Sequence, residues 1–197
     1  IDAMVHAIEA FTSINSNNNP ISKMLSIEAL KLLGSSIKTA VFDGHNINAR
    51  SNMLLGSMLA GKAFANSPVA AVHALAYPIG GLFNISHGLS NSLVLTSVMK
   101  FNSKNEETKK NYAHLAPYVF KNLDNSKNDE FLCNNFIDGL ERLCKELNLP
   151  YRLRDLEIPE EACKLMASEA MKQTRLLVNN PRKIEESDAY NIYKSVW

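Results

Sequence analysis

The sequence predicts an all-α protein, and three observations lead to that fold class. Apolar residues recur at helical spacing along most of the 197 residues, as they do on the buried face of an amphipathic helix. We find no run in which apolar and polar residues alternate in the manner of a half-buried strand. Residues that favour turns separate the helical stretches. We therefore expect one multi-helix domain over residues 1–197, with about eight or nine helices.

The first two predicted helices are separated by an Asn-rich stretch at 15–19. We expect the first helix at 1–13. Asn19 suits an N-cap, and Pro20 suits the first helical position, where a missing backbone N–H has no intrahelical partner to lose. The apolar stripe that follows ends at Gly34, so the second helix is expected to end there.

A third helix is expected at 47–66. Its middle turns contain several small residues, which would let another backbone approach closely, so we expect this helix to be central and buried. The small residues are Gly56, Ser57, Ala60 and Gly61.

Two prolines bound the fourth predicted helix. Pro68 opens it, and it is expected to stop or kink before Pro78, because proline lacks an N–H and its ring clashes with the preceding turn. Gly80 and Gly81 predict a loop after it, and the next helix is expected to begin near His87.

The C-terminal half contains further helices of ordinary length. Polar breaks at 102–106 and 124–129 separate them, and a helix is expected at 159–178. Residues 179–182 predict a turn, and the last helix is expected from about Glu185.

Composition limits the classes of partner and compartment. Apolar residues make up 46% of the chain and the formal net charge is +1, which favours an ordinary globular protein without nucleic-acid or membrane partners. The most apolar stretch, 69–83, is too short and too interrupted to cross a bilayer. Three cysteines without CxxC spacing indicate reduced thiols and a cytoplasmic protein.

Three histidines and one aspartate form a candidate metal site. Asp2 and His6 are four residues apart and so share one helix face. His73 and His87 are fourteen residues apart, on either side of the Pro-Gly-Gly break, and could face one cavity if the chain folds back there. Three imidazoles and a carboxylate suit Fe²⁺, Zn²⁺, Co²⁺ or Ni²⁺ better than Mg²⁺ or Ca²⁺. The composition of the set favours a catalytic rather than a structural metal.

Other interpretations of these residues remain open. The pair at 2 and 6 could simply stabilise its helix, and a histidine in an apolar run could be a core residue with one hydrogen bond. The chain contains no HExxH, GxSxG, P-loop or GxGxxG motif. A non-enzymatic helical interaction module with structural histidines, or a metal-dependent hydrolase, would also suit these observations.

Five segments, in the correct order, resemble the iron-containing (group III) alcohol dehydrogenase family over nearly the whole chain. The fourteen-residue spacing of the signature histidines is kept. The segments lie at 2–11, 20–30, 53–66, 73–91 and 177–182.

The resemblance implies a two-domain parent enzyme, of which this chain covers the all-helical, dehydroquinate synthase-like half. The chain begins within a predicted helix, without an initiator methionine or a signal-like segment. We therefore expect a fragment that lacks the N-terminal NAD(P)-binding domain and that has no dehydrogenase activity alone.

The resemblance also implies site residues. Asp2, His6, His73 and His87 would be the metal ligands, usually of Fe²⁺ and sometimes of Zn²⁺. Many members have histidine at the position of Tyr77, near substrate and nicotinamide. Tyr77 is therefore the candidate catalytic residue, although a phenol lacks the near-neutral titration of histidine.

The activity implied is hydride transfer between a small alcohol or aldehyde and NAD or NADP, with the metal as Lewis acid on the alcohol or carbonyl oxygen. We also expect a homo-oligomer. Within the family, maleylacetate reductase-like or hydroxyacid–oxoacid transhydrogenase-like activity is the alternative.

Overall fold

The computed structural model describes residues 1–124 and 126–197, and these residues form ten α-helices and one short 3-10 helix, without a strand. The all-α fold class is confirmed. The 3-10 helix (Leu153–Leu156) lies between α7 and α8. The α-helices are α1 (Asp2–Thr12), α2 (Pro20–Phe42), α3 (Ile47–Asn66), α4 (Ala71–Phe83), α5 (His87–Asn102), α6 (Glu106–Val119), α7 (Asp129–Glu146), α8 (Ala162–Met171), α9 (Thr174–Leu177) and α10 (Glu186–Ser195).

The helix count exceeds the expected eight or nine because the helix predicted at 159–178 is divided into α8 and α9. At the end of α8 the backbone N–H of Lys172 donates to the carbonyl of Glu169, a tight turn that ends the helix. Part of the predicted break at 124–129 concerns Asn125, which lies outside the described residues.

The predicted start of α2 is confirmed, but its predicted end is wrong. The Asn19 side chain accepts the backbone N–H groups of Ile21 and Ser22, which caps the helix. The helix then passes through Gly34 and ends at Phe42. A Cβ at Gly34 would lie 3.0 Å from the Cα of Val119, so this glycine lets α6 approach α2 closely instead of ending the helix.

The third helix has the predicted bounds but not the predicted central position. Its buried residues, on one face, are Ala49, Gly56, Ala60 and Ala63. A Cβ at Gly56 would lie 2.8 Å from Leu33 Cγ, so small residues do permit close packing on that face. On the other face Leu54 is 76% exposed, and Gly61 has open space around it.

The fourth helix contradicts the predicted break. It is continuous from Ala71 to Phe83, with Pro78, Gly80 and Gly81 inside it, and it ends at Asn84 in the left-handed conformation (φ 54°). An internal proline costs roughly 3 kcal/mol in a helix. Here nearly all residues from 71 to 79 are buried, and this burial outweighs the local preference of Pro78.

The packing of α4 also involves the C-terminal helix. The buried Tyr193 hydroxyl donates to the carbonyl of Leu75 at 2.6 Å, which ties α10 to the middle of α4.

No helix in the described part of the chain is long and apolar enough to cross a membrane. The core contains buried residues of α1, α2, α4, α5, α6, α7, α8 and α10, and the N-terminal turns of α1, α4 and α5 converge at one edge of it.

Candidate metal centre

The structure brings the four predicted ligands together. Asp2 begins α1, His6 follows one turn later, His73 lies in the first turn of α4, and His87 begins α5. One ligand atom from each of the four residues can be chosen so that all lie within 4.8 Å of one another. A set of four donors this compact, drawn from three helices, could hold a single cation.

The distances within the set show which atoms face the centre. The Nε2 atoms of His6 and His73 lie 3.1 Å apart. The Asp2 Oδ1 atom lies 3.5 Å from His87 Nε2 and 4.0 Å from His73 Nε2. Nitrogen and oxygen atoms with available lone pairs therefore point at one small volume, and the nitrogen-rich set suits Fe²⁺, Zn²⁺, Co²⁺ or Ni²⁺ better than Mg²⁺ or Ca²⁺.

The electrostatic surroundings favour the ligand form of His6. Burial lowers the pKa of this imidazole, and the neighbouring His73 lowers it further, whereas the carboxylates of Asp2 and Glu9 act in the opposite direction. A lowered pKa keeps the ring neutral near pH 7, and only a neutral imidazole has a lone pair for a metal.

The centre is closed on one side and open on the other. His73 is 2% exposed, whereas Asp2 is 33% and His87 49% exposed. The ring of Phe64, from α3, stacks on His6 with the centroids 4.7 Å apart. The half-buried Tyr77 has its ring centroid 6.0 Å from that of His87, so Tyr77 lies beside the open side.

The two remaining histidines lie outside the centre. His45 is exposed in the loop after α2, and His114 is exposed on α6, where its ring stacks on Phe11 with the centroids 5.8 Å apart.

Glu9 contacts the centre without having been a candidate. It is only 4% exposed, and its Oε2 atom lies 2.6 Å from His73 Nδ1. A signal for it exists in the sequence: Asp2, His6 and Glu9 are spaced by four and three residues and therefore lie on one helix stripe.

Gly88 and Asn91 were also missed, and both support Asp2. A Cβ at Gly88 would lie 3.3 Å from the Asp2 Cβ, so the glycine allows α1 and α5 to approach closely. The Asn91 amide donates to Asp2 Oδ1 at 2.6 Å and lies 3.2 Å from His87 Nε2. Asn91 is four residues after His87, a spacing that places both on one face of α5.

Comparison with known proteins agrees with this architecture. The sequence model described as "Fe-containing alcohol dehydrogenase family, C-terminal" matches residues 1–197. The chain is 37% identical to long-chain-alcohol dehydrogenase 1 of Geobacillus thermodenitrificans and 32% identical to 1,3-propanediol dehydrogenase of Citrobacter freundii. Each alignment covers 100% of this chain and 49% of the relative, so the chain spans about half the length of these relatives.

Solved structures show the same fold. A 1,3-propanediol oxidoreductase superposes with a TM-score of 0.92 at 31% identity, over 100% of this chain and 50% of that one. The alcohol dehydrogenase from Oenococcus oeni also gives a TM-score of 0.92, at 32% identity and the same coverage. The chain therefore belongs to the iron-containing alcohol dehydrogenase family and corresponds to its all-helical C-terminal part.

Proposed function

We propose that this chain is the metal-binding domain of a NAD(P)-linked dehydrogenase that acts on small alcohols, with Asp2, His6, His73 and His87 as the metal ligands. One observation carries the proposal: donor atoms of these four side chains, from three helices, lie within 4.8 Å of one another. Family membership supports the reaction class, since the relatives include a long-chain-alcohol and a 1,3-propanediol dehydrogenase. What these two share is an alcohol substrate.

Fe²⁺ is the metal that we propose, with Zn²⁺ as the competing ion, because both accept imidazole nitrogen together with a carboxylate oxygen. When bound, such a cation supplies Lewis-acid polarisation of an alcohol or carbonyl oxygen. The chain itself contributes neutral imidazoles, one carboxylate, and a buried side that excludes water from behind His73. The exposed side at His87 is where a substrate oxygen would approach.

Tyr77 is proposed as the residue that orients the substrate. Its half-buried ring lies next to His87, beside the open side, where a phenol hydroxyl can donate a hydrogen bond to a substrate oxygen. In the full-length enzyme, Tyr77→Phe is expected to reduce turnover modestly and to leave the metal content unchanged. A variant with unchanged turnover would indicate that the ring only fills space at the middle of α4.

The nucleotide is proposed to bind outside this chain, on a domain in the other half of the parent enzyme. Residues 1–197 then act as one helical domain, and the parent is proposed to be a homo-oligomer. If the nucleotide site lies on that other domain, the 197-residue chain alone is expected to show no NAD⁺ or NADP⁺ binding by calorimetry at sub-millimolar concentration. It is also expected to show no alcohol oxidation, since holding the reactants in place can be worth roughly 7–11 kcal/mol of the activation barrier. Saturable cofactor binding would contradict this assignment of roles.

Maleylacetate reductase activity has weaker support. The solved maleylacetate reductase from Agrobacterium tumefaciens is 21% identical, a likeness that shows the fold alone. The alcohol dehydrogenases are more similar, at 31% and 32% identity.

Metal uptake is the direct test of the proposed site. The chain, stripped with a chelator and dialysed against Fe²⁺ under anaerobic conditions or against Zn²⁺, is expected to retain one ion by elemental analysis. His45→Ala and His114→Ala are matched controls, since each removes an exposed histidine away from the centre, and both should retain the ion. A wild-type chain without bound metal would overturn the proposal and favour a helical interaction module.

A further inference from the structure

Glu9 is a buried carboxylate whose two oxygen atoms have separate partners. Its Oε2 atom lies 2.6 Å from His73 Nδ1, and its Oε1 atom accepts the backbone N–H of Val72 at 2.6 Å. Within the described residues no lysine or arginine forms a salt bridge with Glu9, and the one basic side chain that contacts it is the His73 imidazole. Burying a carboxylate is costly unless charge or hydrogen bonds compensate for the lost water.

Part of the compensation comes from α4. The N-cap residue of that helix is Ala70, which has no side chain able to cap the helix. Glu9 reaches across from α1 and accepts a first-turn N–H in its place, where the helix dipole also favours a negative charge. Glu9 therefore fixes the N-terminal turn of α4, the turn that contains His73.

The contact between Glu9 Oε2 and His73 Nδ1 determines which ring nitrogen of His73 carries the proton. A carboxylate can only accept, so Nδ1 must carry the hydrogen that lies between it and Oε2. In the neutral ring the lone pair is then on Nε2, the atom that lies 3.1 Å from His6 Nε2 in the centre. The charges also agree with this assignment: Asp2 and Glu9 together contribute two negative charges, which balance a divalent cation held by neutral imidazoles.

We propose that Glu9 is a positioning residue of the metal centre, which orients His73 and holds it in the tautomer whose Nε2 lone pair faces the metal. The inference rests on the proposed metal-binding function, because it concerns the affinity of that site. Glu9 acts through His73 and the turn of α4, and it is not itself a ligand.

The substitution Glu9→Gln tests the proposal with little change in shape. Glutamine has one carbonyl oxygen, whereas two donors, the Val72 N–H and the His73 Nδ1–H, face this side chain. Its NH₂ group must oppose one of them, and if it faces His73 it moves the ring proton to Nε2. We expect Zn²⁺ affinity, measured by competition with a chelator, to fall about 10–100-fold.

Thr12→Val is the matched control for this variant. Thr12 is a buried residue of α1 whose hydroxyl donates to the carbonyl of Ile8, and it has no part in the four-donor set. The affinity of the Thr12→Val variant for Zn²⁺ is expected to stay within twofold of the wild-type affinity. Metal uptake by the wild-type chain tests the proposed function, whereas the ratio of affinities between wild type and Glu9→Gln tests this inference alone. A ratio below twofold would overturn it.

A measurement on the wild-type chain decides the question even if Glu9→Gln does not fold. The ¹⁵N shifts of the His73 ring in the metal-free protein distinguish the two tautomers without any metal or activity. We expect the Nδ1–H form, with its proton shifted downfield by the carboxylate. The Nε2–H form would show that Glu9 does not set the tautomer, and would overturn the inference.

Discussion

The two sides of the four-donor centre differ in what holds them. On the inner side, His73 is 2% exposed and its ring contacts the buried carboxylate of Glu9, so its position is set by a contact inside the protein. On the outer side, Asp2 and His87 are 33% and 49% exposed at the first residues of α1 and α5. Removal of the inner donor should therefore damage the fold as well as the site, whereas removal of an outer donor should affect the site alone.

The largest effect is expected for His73→Ala. Removing the imidazole leaves one oxygen of the buried Glu9 carboxylate without its hydrogen-bond donor, and leaving a buried group unsatisfied in this way costs about 1–3 kcal/mol. We expect the free energy of unfolding of the metal-free chain, measured in urea with a chelator present, to fall by that amount. A loss below about 1 kcal/mol would be within the range of an ordinary substitution and would mean that the inner side is not part of the structural core.

The outer side should respond differently to the same change. His87→Ala is expected to lose the bound metal, because one of four donors is gone. The free energy of unfolding of the metal-free chain should change by no more than about 0.5 kcal/mol, as is usual for exposed positions. His114→Ala, which removes an exposed histidine from α6, should leave both quantities unchanged. Equal destabilisation by His87→Ala and His73→Ala would remove the distinction between the two sides.

A smaller effect is expected at the contact between α1 and α5. In Gly88→Ala the new methyl group would lie 3.3 Å from the Asp2 Cβ, so Asp2 must shift by a few tenths of an ångström and metal affinity should fall several-fold. Gly81→Ala is the matched control, since nothing lies within 4 Å of its new methyl group. This variant should keep its affinity and become about 0.5–1 kcal/mol more stable, as alanine is favoured over glycine inside a helix.

The smallest effect is expected in the pH dependence of the free energy of unfolding of the metal-free chain. Because burial and His73 lower the pKa of His6 below 6.5, the unfolded chain takes up this proton first as the pH falls. The contribution of His6 to the free energy of unfolding should therefore be largest above its unfolded pKa of 6.5 and should decrease as the pH falls below that value, until the folded protein also protonates. The charged groups around His6 are Asp2, Glu9, His73 and His87. In His6→Asn the decrease should be smaller, and an unchanged decrease would assign it to another group.

The cluster of four donors could be predicted from the sequence because the spacing of these residues and their chemistry agree. Asp2 and His6 share a helix face, and a fourteen-residue interval separates the two signature histidines. The structure brings all four together. The chain bends after the end of α4, at Asn84, and not at Pro78 as expected from the sequence. Local preference alone predicted a break at the proline, and burial of α4 outweighed it.

Other features of the fold and the site depend on contacts between distant parts of the chain, and residue spacing in the sequence does not reveal such contacts. Small residues in α3 correctly indicated a close approach, but they could not show that Leu54 would remain exposed on the opposite face. The role of Glu9 depends on where the first turn of α4 lies. Gly88 matters only because Asp2, which is distant in sequence, packs against it.

The hydrogen bond from Tyr193 to the carbonyl of Leu75 has a consequence for the order in which the domain matures. The two residues are 118 positions apart, so a nascent chain on the ribosome has already made every ligand helix long before it makes the donor that anchors α4 to α10. Closing a loop of this length is entropically costly and slow compared with local helix formation. Metal loading is thus expected to follow the synthesis and docking of α10, with cations captured only once this helix has joined α4.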